Sequence, residues 1–188
     1  TEWGKEIKDR PAVFLNGMHH ARELTTQSMA VYILLHTLFN YLHNDFETVY
    51  MMEQTALFMV PVVNMDGLVR INAVWEQTQL LPLIRKNSHP YSFQEECDNI
   101  GKGVDLNRNY GFMFGYSDDG SSGQNHPCED DYRGPHAFSE PETVAIRDLV
   151  ERWSNIRVAI NFHAYGNLFI HPFNFDNKAN SLLLYGVR

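Results

Sequence analysis

The sequence predicts an α/β fold, with a mixed, partly parallel twisted sheet and flanking helices. Three apolar runs have the length of strands and lie at 11–15, 56–63 and 156–162. Segments with helical periodicity lie between them, at 25–43 and after residue 139. Strands that alternate with helices are typical of α/β domains. A chain of 188 residues also has the usual length of one domain.

The first half of the chain is predicted to contain two buried strands joined by a helix. Residues 25–43 form an amphipathic helix, with Thr25 as its cap. This prediction rests on apolar side chains that recur at helical spacing: Leu24, Val31, Leu35, Leu38 and Leu42. Residues 56–63 form the second strand, which ends in a turn at Asp66 and Gly67.

The second half is predicted to hold long loops followed by one helix and two strands. Residues 68–139 are expected to be mainly loops that wall an active-site cleft, because loops of such length are uncommon unless they are functional. The Ser-Glu-Pro-Glu sequence at 139–142 indicates a capping box with proline in the first turn. The helix that follows is expected to turn four apolar residues inward: Ile146, Leu149, Val150 and Trp153. Residues 156–162 and 168–171 are then predicted as strands.

Composition and charge exclude several classes of partner. Hydrophobic residues make up 44% of the chain and aromatic residues 13%, which is ample for a core. The formal net charge of −8 argues against nucleic acid or an anionic membrane as a partner. The longest apolar run is too short for a membrane span, and no signal peptide is visible. We expect a monomer.

A histidine and a glutamate three residues apart are the most informative feature of the chain. His20 and Glu23 lie where the first strand runs into the first helix, so both side chains can turn toward one cation. Imidazole and carboxylate are zinc ligands, and a catalytic zinc site needs a third protein ligand and an open position. The same spacing recurs at His126 and Glu129 in a Gly-, Ser-, Asn- and Pro-rich stretch, where we interpret it as coincidence.

The candidate third ligand is His163, at the end of the strand predicted at 156–162. Open α/β sheets bind their ligands at the carboxyl ends of strands, although a histidine there is also compatible with an ordinary packing role. Two histidines and one glutamate would hold one zinc ion per chain and leave a position for water. His19 is interpreted as a spectator. The other histidines are assigned surface or packing roles: His36, His43, His89, His126, His136 and His171.

Separated segments of the chain carry further motifs in a characteristic order. They are Asn-Met-Asp-Gly at 64–67, Arg-Lys-Asn at 85–87, Gly-Val-Asp-Leu-Asn-Arg-Asn at 103–109, Tyr-Arg-Gly-Pro at 132–135, Ala-Phe-Ser-Glu-Pro-Glu-Thr at 137–143 and Asn-Phe-His-Ala-Tyr-Gly at 161–166. With the His-x-Arg-Glu sequence at 20–23, they resemble the A/B-type metallocarboxypeptidases, zinc exopeptidases that remove C-terminal residues from peptides. In that family the first of these motifs has proline where Met65 stands.

The resemblance implies a zinc ligand set and its support. His20, Glu23 and His163 match the family's three zinc ligands. Asp105 matches an aspartate that accepts the second ring N–H of the first zinc histidine, here His20, and so orients the ring. A turn-stabilising role for Asp105 is the alternative.

The resemblance also implies how a peptide would be recognised. Asn107 and Arg108 match residues that bind the substrate's terminal carboxylate, for which the guanidinium fork is well suited. Arg85 matches an arginine that stabilises the oxyanion forming at the scissile carbonyl. Arg22 and Tyr165 resemble residues of an outer subsite. An arginine in a polar loop can otherwise be a solvated surface charge.

Parts of the family pattern have no match in the 188 residues. The resemblance implies a general-base glutamate, a mobile tyrosine and most of the specificity pocket beyond the last zinc histidine. We therefore expect residues 1–188 to be a partial peptidase catalytic domain whose sheet is incomplete at both ends. Residues 1–188 alone are expected to bind zinc poorly and to turn over little substrate.

The two cysteines bracket a long loop. Cys128 occupies a place where animal members of the family often have a half-cystine, so a disulfide with Cys97 is expected, worth roughly 3–4 kcal/mol in the chain-entropy model. Two buried thiols are the alternative. A disulfide would indicate an oxidising compartment, either extracellular or similar to a lysosome or vacuole.

The leading functional hypothesis is a zinc carboxypeptidase in which a zinc-bound water attacks the last peptide bond of peptides or proteins with a free C-terminus. One alternative is a zinc-binding module, fragment or pseudo-enzyme that has lost the chemistry. The other is a related zinc amidohydrolase that acts on wall peptides or acylated amino acids. The pair Asn107 and Arg108 favours ordinary peptides.

Overall fold

A three-stranded parallel sheet forms the centre of the computed structural model, which describes residues 7–89 and 91–171. The strands are β1 (Ala12–Gly17), β2 (Ala56–Val60) and β3 (Ile156–Phe162), in the order β2-β1-β3. The α/β class predicted from the sequence is confirmed. Both neighbours of β1 run parallel to it, as expected when helices connect the strands.

The register of the sheet determines which residues meet at its carboxyl edge. Leu15 pairs with Met59 of β2 and with Ile160 of β3. Gly17, the last residue of β1, pairs with Phe162, the last residue of β3. The segments that follow these two strands therefore start side by side, although about 145 residues of chain separate them.

Four helices with complete bounds and two short 3-10 turns accompany the sheet in the described residues, and residues 7–9 are also helical. The four helices are α1 (Leu24–Leu42), α2 (Phe46–Gln54), α3 (Met65–Thr78) and α4 (Pro141–Arg152), with the 3-10 turns at Ser92–Gln94 and Leu106–Arg108. Among the described helices, none has the length and apolar character needed to cross a membrane.

Helix α1 begins one residue earlier than predicted, and Thr25 does not cap it. Glu23 is the residue that precedes the helix, and its side chain makes no capping hydrogen bond. Thr26 instead closes this end, because its Oγ1 donates to Glu23 O at 2.7 Å and accepts from Met18 N at 2.9 Å. The carboxylate of Glu23 therefore remains available for other contacts.

The apolar stripe predicted to face inward on α1 is largely uncovered by the described residues. Leu35, Leu38 and Leu42 are exposed, whereas Thr26 and Ala30 are the buried residues of the helix. On α4, Val150 is likewise exposed rather than turned inward.

The turn predicted at 66–67 is the first turn of helix α3, so the loop predicted from residue 68 was wrong in its first part. Asn64 caps this helix, because its Oδ1 accepts from Gly67 N at 2.9 Å. An asparagine cap followed by Asp66 is a helix-start pattern that was interpreted as a turn. Gly67 is required by close packing, since a Cβ there would lie 2.5 Å from that of Ala21.

Two predictions in the C-terminal part need correction. Helix α4 is preceded by Glu140, and no side chain caps it. Ser139 Oγ does not accept from a helix N–H, as a capping box requires, and it donates to Glu140 Oε1 at 2.6 Å. The capping box is therefore not formed. Residues 168–171 are described and are not a strand. Asn174, a polar residue that the resemblance would place near the wall of the specificity pocket, lies outside the described residues.

The irregular segments between α3 and α4 are stacked through backbone hydrogen bonds. Arg22 N donates to Ile84 O at 2.7 Å, which places residues 84–87 beside the turn after β1. Asn87 N then donates to Val104 O at 3.0 Å. Asp105 N donates to Tyr132 O at 2.8 Å, so that four separate segments form successive layers.

A disulfide and a buried lysine hold the outer layers together. Cys97 and Cys128 form the expected disulfide, with their Cα atoms 5.4 Å apart. Lys86 is fully buried and donates through Nζ to Gly101 O at 2.5 Å and to Pro127 O at 2.9 Å. Its ammonium also lies 5.5 Å from the centre of the Tyr132 ring. Lys86 therefore joins both ends of the disulfide loop.

Burial makes the stability contribution of Lys86 depend on pH. Desolvation lowers the pKa of Lys86 from 10.5 to about 8. Between pH 8 and pH 10.5 the Lys86 ammonium is deprotonated in the folded chain and still protonated in the unfolded chain. The free energy of unfolding therefore rises with pH across this window, and this gain is lost as the pH falls through 8. The prediction compares the full-length wild type with its Lys86→Met variant by urea denaturation at pH 7 and at pH 9.5. We expect the difference in unfolding free energy between them to shift in favour of the wild type by roughly 2 kcal/mol from the lower to the higher pH.

The matched control is Lys8→Met, which removes an exposed lysine elsewhere. Its effect on stability is expected to be the same at both pH values, because its ammonium stays in water. An equal, pH-independent effect for Lys86→Met would contradict the assignment.

Candidate metal centre

Three side chains from distant parts of the sequence meet at the carboxyl edge of the sheet. His20 follows β1, Glu23 precedes α1 and His163 follows β3. His20 Nδ1 lies 2.8 Å from Glu23 Oε1, and His163 Nδ1 lies 2.9 Å from Glu23 Oε2. The two Nδ1 atoms are 3.2 Å apart. Among the described residues, these three form the one His, Cys, Asp and Glu group with the proximity needed for a metal ion.

The three donors fit a zinc site. Donors that each lie about 2.0–2.2 Å from a tetrahedral zinc ion are separated from one another by roughly 3.3 Å. The two Nδ1 atoms are 3.2 Å apart, close to this value. Each also lies within 2.9 Å of one oxygen of the Glu23 carboxylate, which can bind an ion through either oxygen or through both. His20 and Glu23 are buried, whereas the side chain of His163 is 32% exposed, which leaves one side of the group open to solvent.

Asp105 fixes the orientation of the His20 ring. Its carboxylate is fully buried, and Oδ1 accepts from His20 Nε2 at 3.1 Å. Donation from Nε2 leaves the lone pair of Nδ1 for a cation, which is the tautomer that a ligand histidine needs. Burial would raise the pKa of Asp105, but the hydrogen bond from His20 and the charges of His20 and Arg85 lower it to about 2.

The hydrogen bonds among these side chains also set the protonation of His20 and Glu23. Burial lowers the pKa of His20, but its hydrogen bonds to Asp105 and Glu23 outweigh burial, so the pKa is raised overall. Burial would raise the pKa of Glu23, whereas hydrogen bonds from His163 and His20 hold it well below its usual range. Ala164 N also donates to Glu23 Oε2 at 3.1 Å. Glu23 is therefore ionised at neutral pH.

Arg85 lies directly beside the three donors. Its Nε donates to Asp105 Oδ2 at 2.9 Å and its Nη2 lies 2.7 Å from the same oxygen. Its Nη1 is 3.3 Å from His20 Nδ1. The Nε and Nη2 edge of the guanidinium thus contacts the buried Asp105 carboxylate, while Nη1 faces the three candidate metal ligands. The pairing of Arg85 with Asp105 was not predicted from the sequence, and it places a positive charge next to the metal position.

The backbone explains why Arg85 reaches this position. Ala21 N donates to Arg85 O at 3.2 Å, which attaches the arginine's own peptide to the turn that carries His20. Asn64 reinforces the junction, because its Nδ2 donates to His19 O at 3.1 Å while its Oδ1 caps α3. The buried Asn64 therefore links the turn after β1, the start of α3 and the segment that carries Arg85.

Asn107 and Arg108 lie in the 3-10 turn that begins after Asp105. Asn107 N donates to Asp105 Oδ1 at 3.0 Å, so the turn is anchored on the carboxylate that holds His20. Arg108 Nε donates to Gly120 O, and Arg108 Nη1 donates to Asn107 O at 3.2 Å. Within the described part of the chain, the guanidinium thus donates through Nε and Nη1 and not through Nη2.

The two residues assigned to an outer subsite are placed differently. Arg22 forms an ion pair with Asp130, with Nη1 and Oδ2 2.9 Å apart, and donates to Leu83 O at 3.3 Å. Tyr165 is fully exposed just beyond His163. Arg22 is therefore attached to the loops that carry Leu83 and Asp130, and its ion pair with Asp130 was not foreseen.

Two histidines that were assigned no partners have them. His19 is buried with its Nε2 2.6 Å from Tyr110 OH, and burial lowers its pKa to about 3. It stays outside the donor group. His89 Nδ1 lies 2.9 Å from Oε2 of the buried Glu140, which also accepts from Tyr91 OH at 2.7 Å. Sequence spacing gives no indication of these pairs, because each joins residues about 50 or more positions apart.

The chain is similar to known zinc carboxypeptidases over most of its length. The zinc carboxypeptidase family profile (Peptidase_M14) matches residues 2–182. Carboxypeptidase A4 of Mus musculus is 29% identical over 174 residues, which cover 91% of this chain and 37% of that protein. Carboxypeptidase B of Astacus astacus is 30% identical over 179 residues, which cover 93% of this chain and 52% of that protein. The chain thus spans about a third to a half of the length of these relatives.

Solved structures agree in fold. Bovine thrombin-activatable fibrinolysis inhibitor, in complex with tick carboxypeptidase inhibitor, superposes with a TM-score of 0.63 at 25% identity, over 84% of this chain and 47% of that chain. Carboxypeptidase A from Helicoverpa armigera gives a TM-score of 0.62 at 24% identity, over 85% of this chain and 34% of that chain.

Replacing Asp105 tests the support of the metal position. In Asp105→Asn the amide cannot accept from His20 Nε2 with the strength of a carboxylate, so the ring loses its fixed tautomer. We expect zinc affinity to fall roughly 10- to 100-fold, measured by competition with a chromophoric chelator on the full-length protein.

The control for this experiment is Asp148→Asn, which neutralises an exposed carboxylate paired with Arg147. It is expected to leave the zinc affinity within twofold of wild type. An Asp105→Asn protein that keeps its fold by circular dichroism and binds zinc as well as wild type would refute the role given to Asp105.

Proposed function

The chain belongs to the zinc carboxypeptidase family, and we propose that it carries the zinc site and the substrate-carboxylate site of an enzyme that hydrolyses the C-terminal peptide bond of peptides or proteins. The observation that carries the proposal is the convergence of His20, Glu23 and His163 within 3.2 Å of one another, next to the guanidinium of Arg85. A bound zinc ion supplies Lewis acidity and lowers the pKa of a coordinated water toward about 7.

Arg85 is proposed to stabilise the negative charge that develops on the scissile carbonyl oxygen. Its guanidinium is held in place by Asp105 before any substrate arrives, so little reorganisation is needed during the reaction. The side chain is 14% exposed, and such partial burial strengthens the interaction of its charge with a nearby oxyanion.

Asn107 and Arg108 are proposed to bind the free carboxylate of the substrate. Both lie in the turn anchored on Asp105, so the carboxylate site and the metal site share one buried support. A guanidinium can donate two parallel hydrogen bonds to a carboxylate, which favours substrates that end in a free C-terminus. A requirement for a free C-terminus distinguishes a carboxypeptidase from an endopeptidase.

The group that accepts the proton of the attacking water is not one of the carboxylates beside the site. Glu23 is engaged by both ligand histidines, and Asp105 is engaged by His20 and Arg85. Both carboxylates are strongly acidic in these pairings, so neither is suited to general-base work near neutral pH. The disulfide between Cys97 and Cys128 supports an extracytoplasmic, oxidising compartment as the place of action.

The first test of this function concerns Arg108. In the full-length protein, wild type is expected to hydrolyse a peptide with a free C-terminus and to ignore its C-terminal amide. Arg108→Met removes the charge-assisted hydrogen bonds and should lower kcat/KM for the free peptide about 10- to 100-fold, mainly through KM. Arg147→Met, at a partly exposed arginine on α4, serves as the control. Equal cleavage of free and amidated peptides would favour an amidohydrolase instead.

The second test concerns Arg85. Arg85→Met should lower kcat roughly 100- to 1,000-fold with a much smaller change in KM, because the lost interaction forms mainly in the transition state. Elemental analysis of the Arg85→Met protein has to find about one zinc ion per chain, because otherwise the loss of kcat could reflect loss of zinc. A variant with full zinc and unchanged kcat would show that Arg85 is not catalytic.

A further inference from the structure

A loop of the chain is wrapped around the guanidinium of Arg133. Arg133 Nη1 donates to Ser121 O at 2.6 Å and to Asp118 Oδ1 at 2.7 Å. The guanidinium carbon lies 5.8 Å from the centre of the Phe114 ring. The side chain is only 15% exposed, so this arginine is a part of the interior of the loop rather than a surface charge.

Glycines allow the loop to approach so closely. A Cβ added at Gly123 would lie 2.8 Å from Arg133 Nη2, and one added at Gly115 would lie 3.6 Å from its Nε. Gly115 has a φ of +68° and Gly120 a φ of +71°, a left-handed conformation that other residues seldom adopt. The sequence between residues 115 and 123 therefore has the residues needed to curl around a guanidinium.

The same loop holds the arginine proposed to bind substrate. Gly120 O accepts from Arg108 Nε, and Gly120 lies between the two residues that Arg133 holds, Asp118 and Ser121. A hydrogen bond at Nε fixes the plane of the Arg108 guanidinium. Nη1 donates one hydrogen to Asn107 O, so its second hydrogen and those of Nη2 form the edge that can present parallel donors to a carboxylate.

The backbone of Arg133 ties this arrangement to the interior. Arg133 O accepts from Nδ2 of the fully buried Asn109 at 2.9 Å, and Asn109 is the neighbour of Arg108. Arg133 N donates to Ser122 O at 3.1 Å. Arg133 thus contacts the loop through its side chain and main chain, and it contacts the Arg108 turn through Asn109.

We propose that Arg133 is a positioning residue for recognition of the substrate carboxylate: by holding residues 118–121, it places the Gly120 carbonyl that orients Arg108. The inference rests on the proposed function and adds a residue to its specificity site. Arg133 itself is not assigned to the substrate, because its Nη1 donates to the loop, its charge is paired with Asp118 and its side chain is only 15% exposed.

The proposal separates binding from chemistry. Arg85 is held on Asp105, in a different layer from the loop around Arg133. Loss of the Arg133 contacts should therefore loosen Arg108 without moving Arg85 or the ligand histidines. The expected kinetic signature is a higher KM for free C-terminal peptides with kcat nearly unchanged.

The experiment compares Arg133→Met and Arg133→Lys in the full-length protein. Arg133→Met should raise KM about tenfold and leave kcat within twofold. Arg133→Lys should recover part of the loss, because an ammonium can still donate to Ser121 O but cannot reproduce the whole fork. The matched control is Arg147→Met, which removes an arginine that is likewise paired with an aspartate and lies 5.1 Å from the centre of an aromatic ring, Phe138.

A double variant distinguishes positioning from a general loss of stability. If Arg133 acts through Arg108, the combined Arg108→Met and Arg133→Met protein should have the KM of Arg108→Met alone. Additive effects in the double variant, or a fall in kcat with unchanged KM, would overturn the inference. If Arg108→Met raises KM and Arg133→Met does not, only the present inference fails. If neither variant changes the preference for a free over an amidated C-terminus, the proposed function fails.

Discussion

The arrangement of the site depends on one buried carboxylate. An ionised aspartate in a protein interior is stable only when its oxygens are paired, and Asp105 is fully buried. One oxygen receives His20 and the peptide N–H of Asn107, and the other receives Arg85. A single buried charge therefore sets the tautomer of a metal ligand, the position of a catalytic arginine and the start of the substrate-binding turn. The candidate metal ligand His20, the arginine proposed to bind the oxyanion and the turn proposed to bind the substrate carboxylate all depend on contacts with Asp105.

The segments that meet at Asp105 are irregular, so buried polar groups replace regular secondary structure in holding them. Asn64, Asn87 and Asn109 are almost fully buried, and each hydrogen-bonds to at least two different segments of the chain. Backbone groups in loops need such partners when they leave water. Lys86 and the Cys97–Cys128 disulfide likewise hold together the loop segments around residues 97–101 and 127–128. The long loops are consequently a rigid part of the site.

Some errors in the sequence interpretation have definite physical causes. The start of α3 was assigned to a turn because Asn64, Asp66 and Gly67 favour turns and helix starts equally, and only the packing of Gly67 against Ala21 decides between them. Thr25 was named as a cap although Thr26 closes that end of α1, a one-residue difference that propensity does not resolve. In both cases tertiary contacts selected between forms that the local pattern allows.

The sequence by itself determined the α/β class, the strands around residues 12–17 and 156–162, and the candidate ligands, because periodicity and motif spacing are local properties of a chain. The resemblance of its motifs to a known family also implied that Asp105 is a partner of His20, which the structure pairs at 3.1 Å. Only the tertiary structure decided that Arg85 pairs with Asp105, that Arg22 pairs with Asp130 and that the loop before residue 123 encloses Arg133. These contacts join residues between 10 and 110 positions apart, and their partners are selected by the stacking of irregular segments, for which a single sequence has no periodic signature.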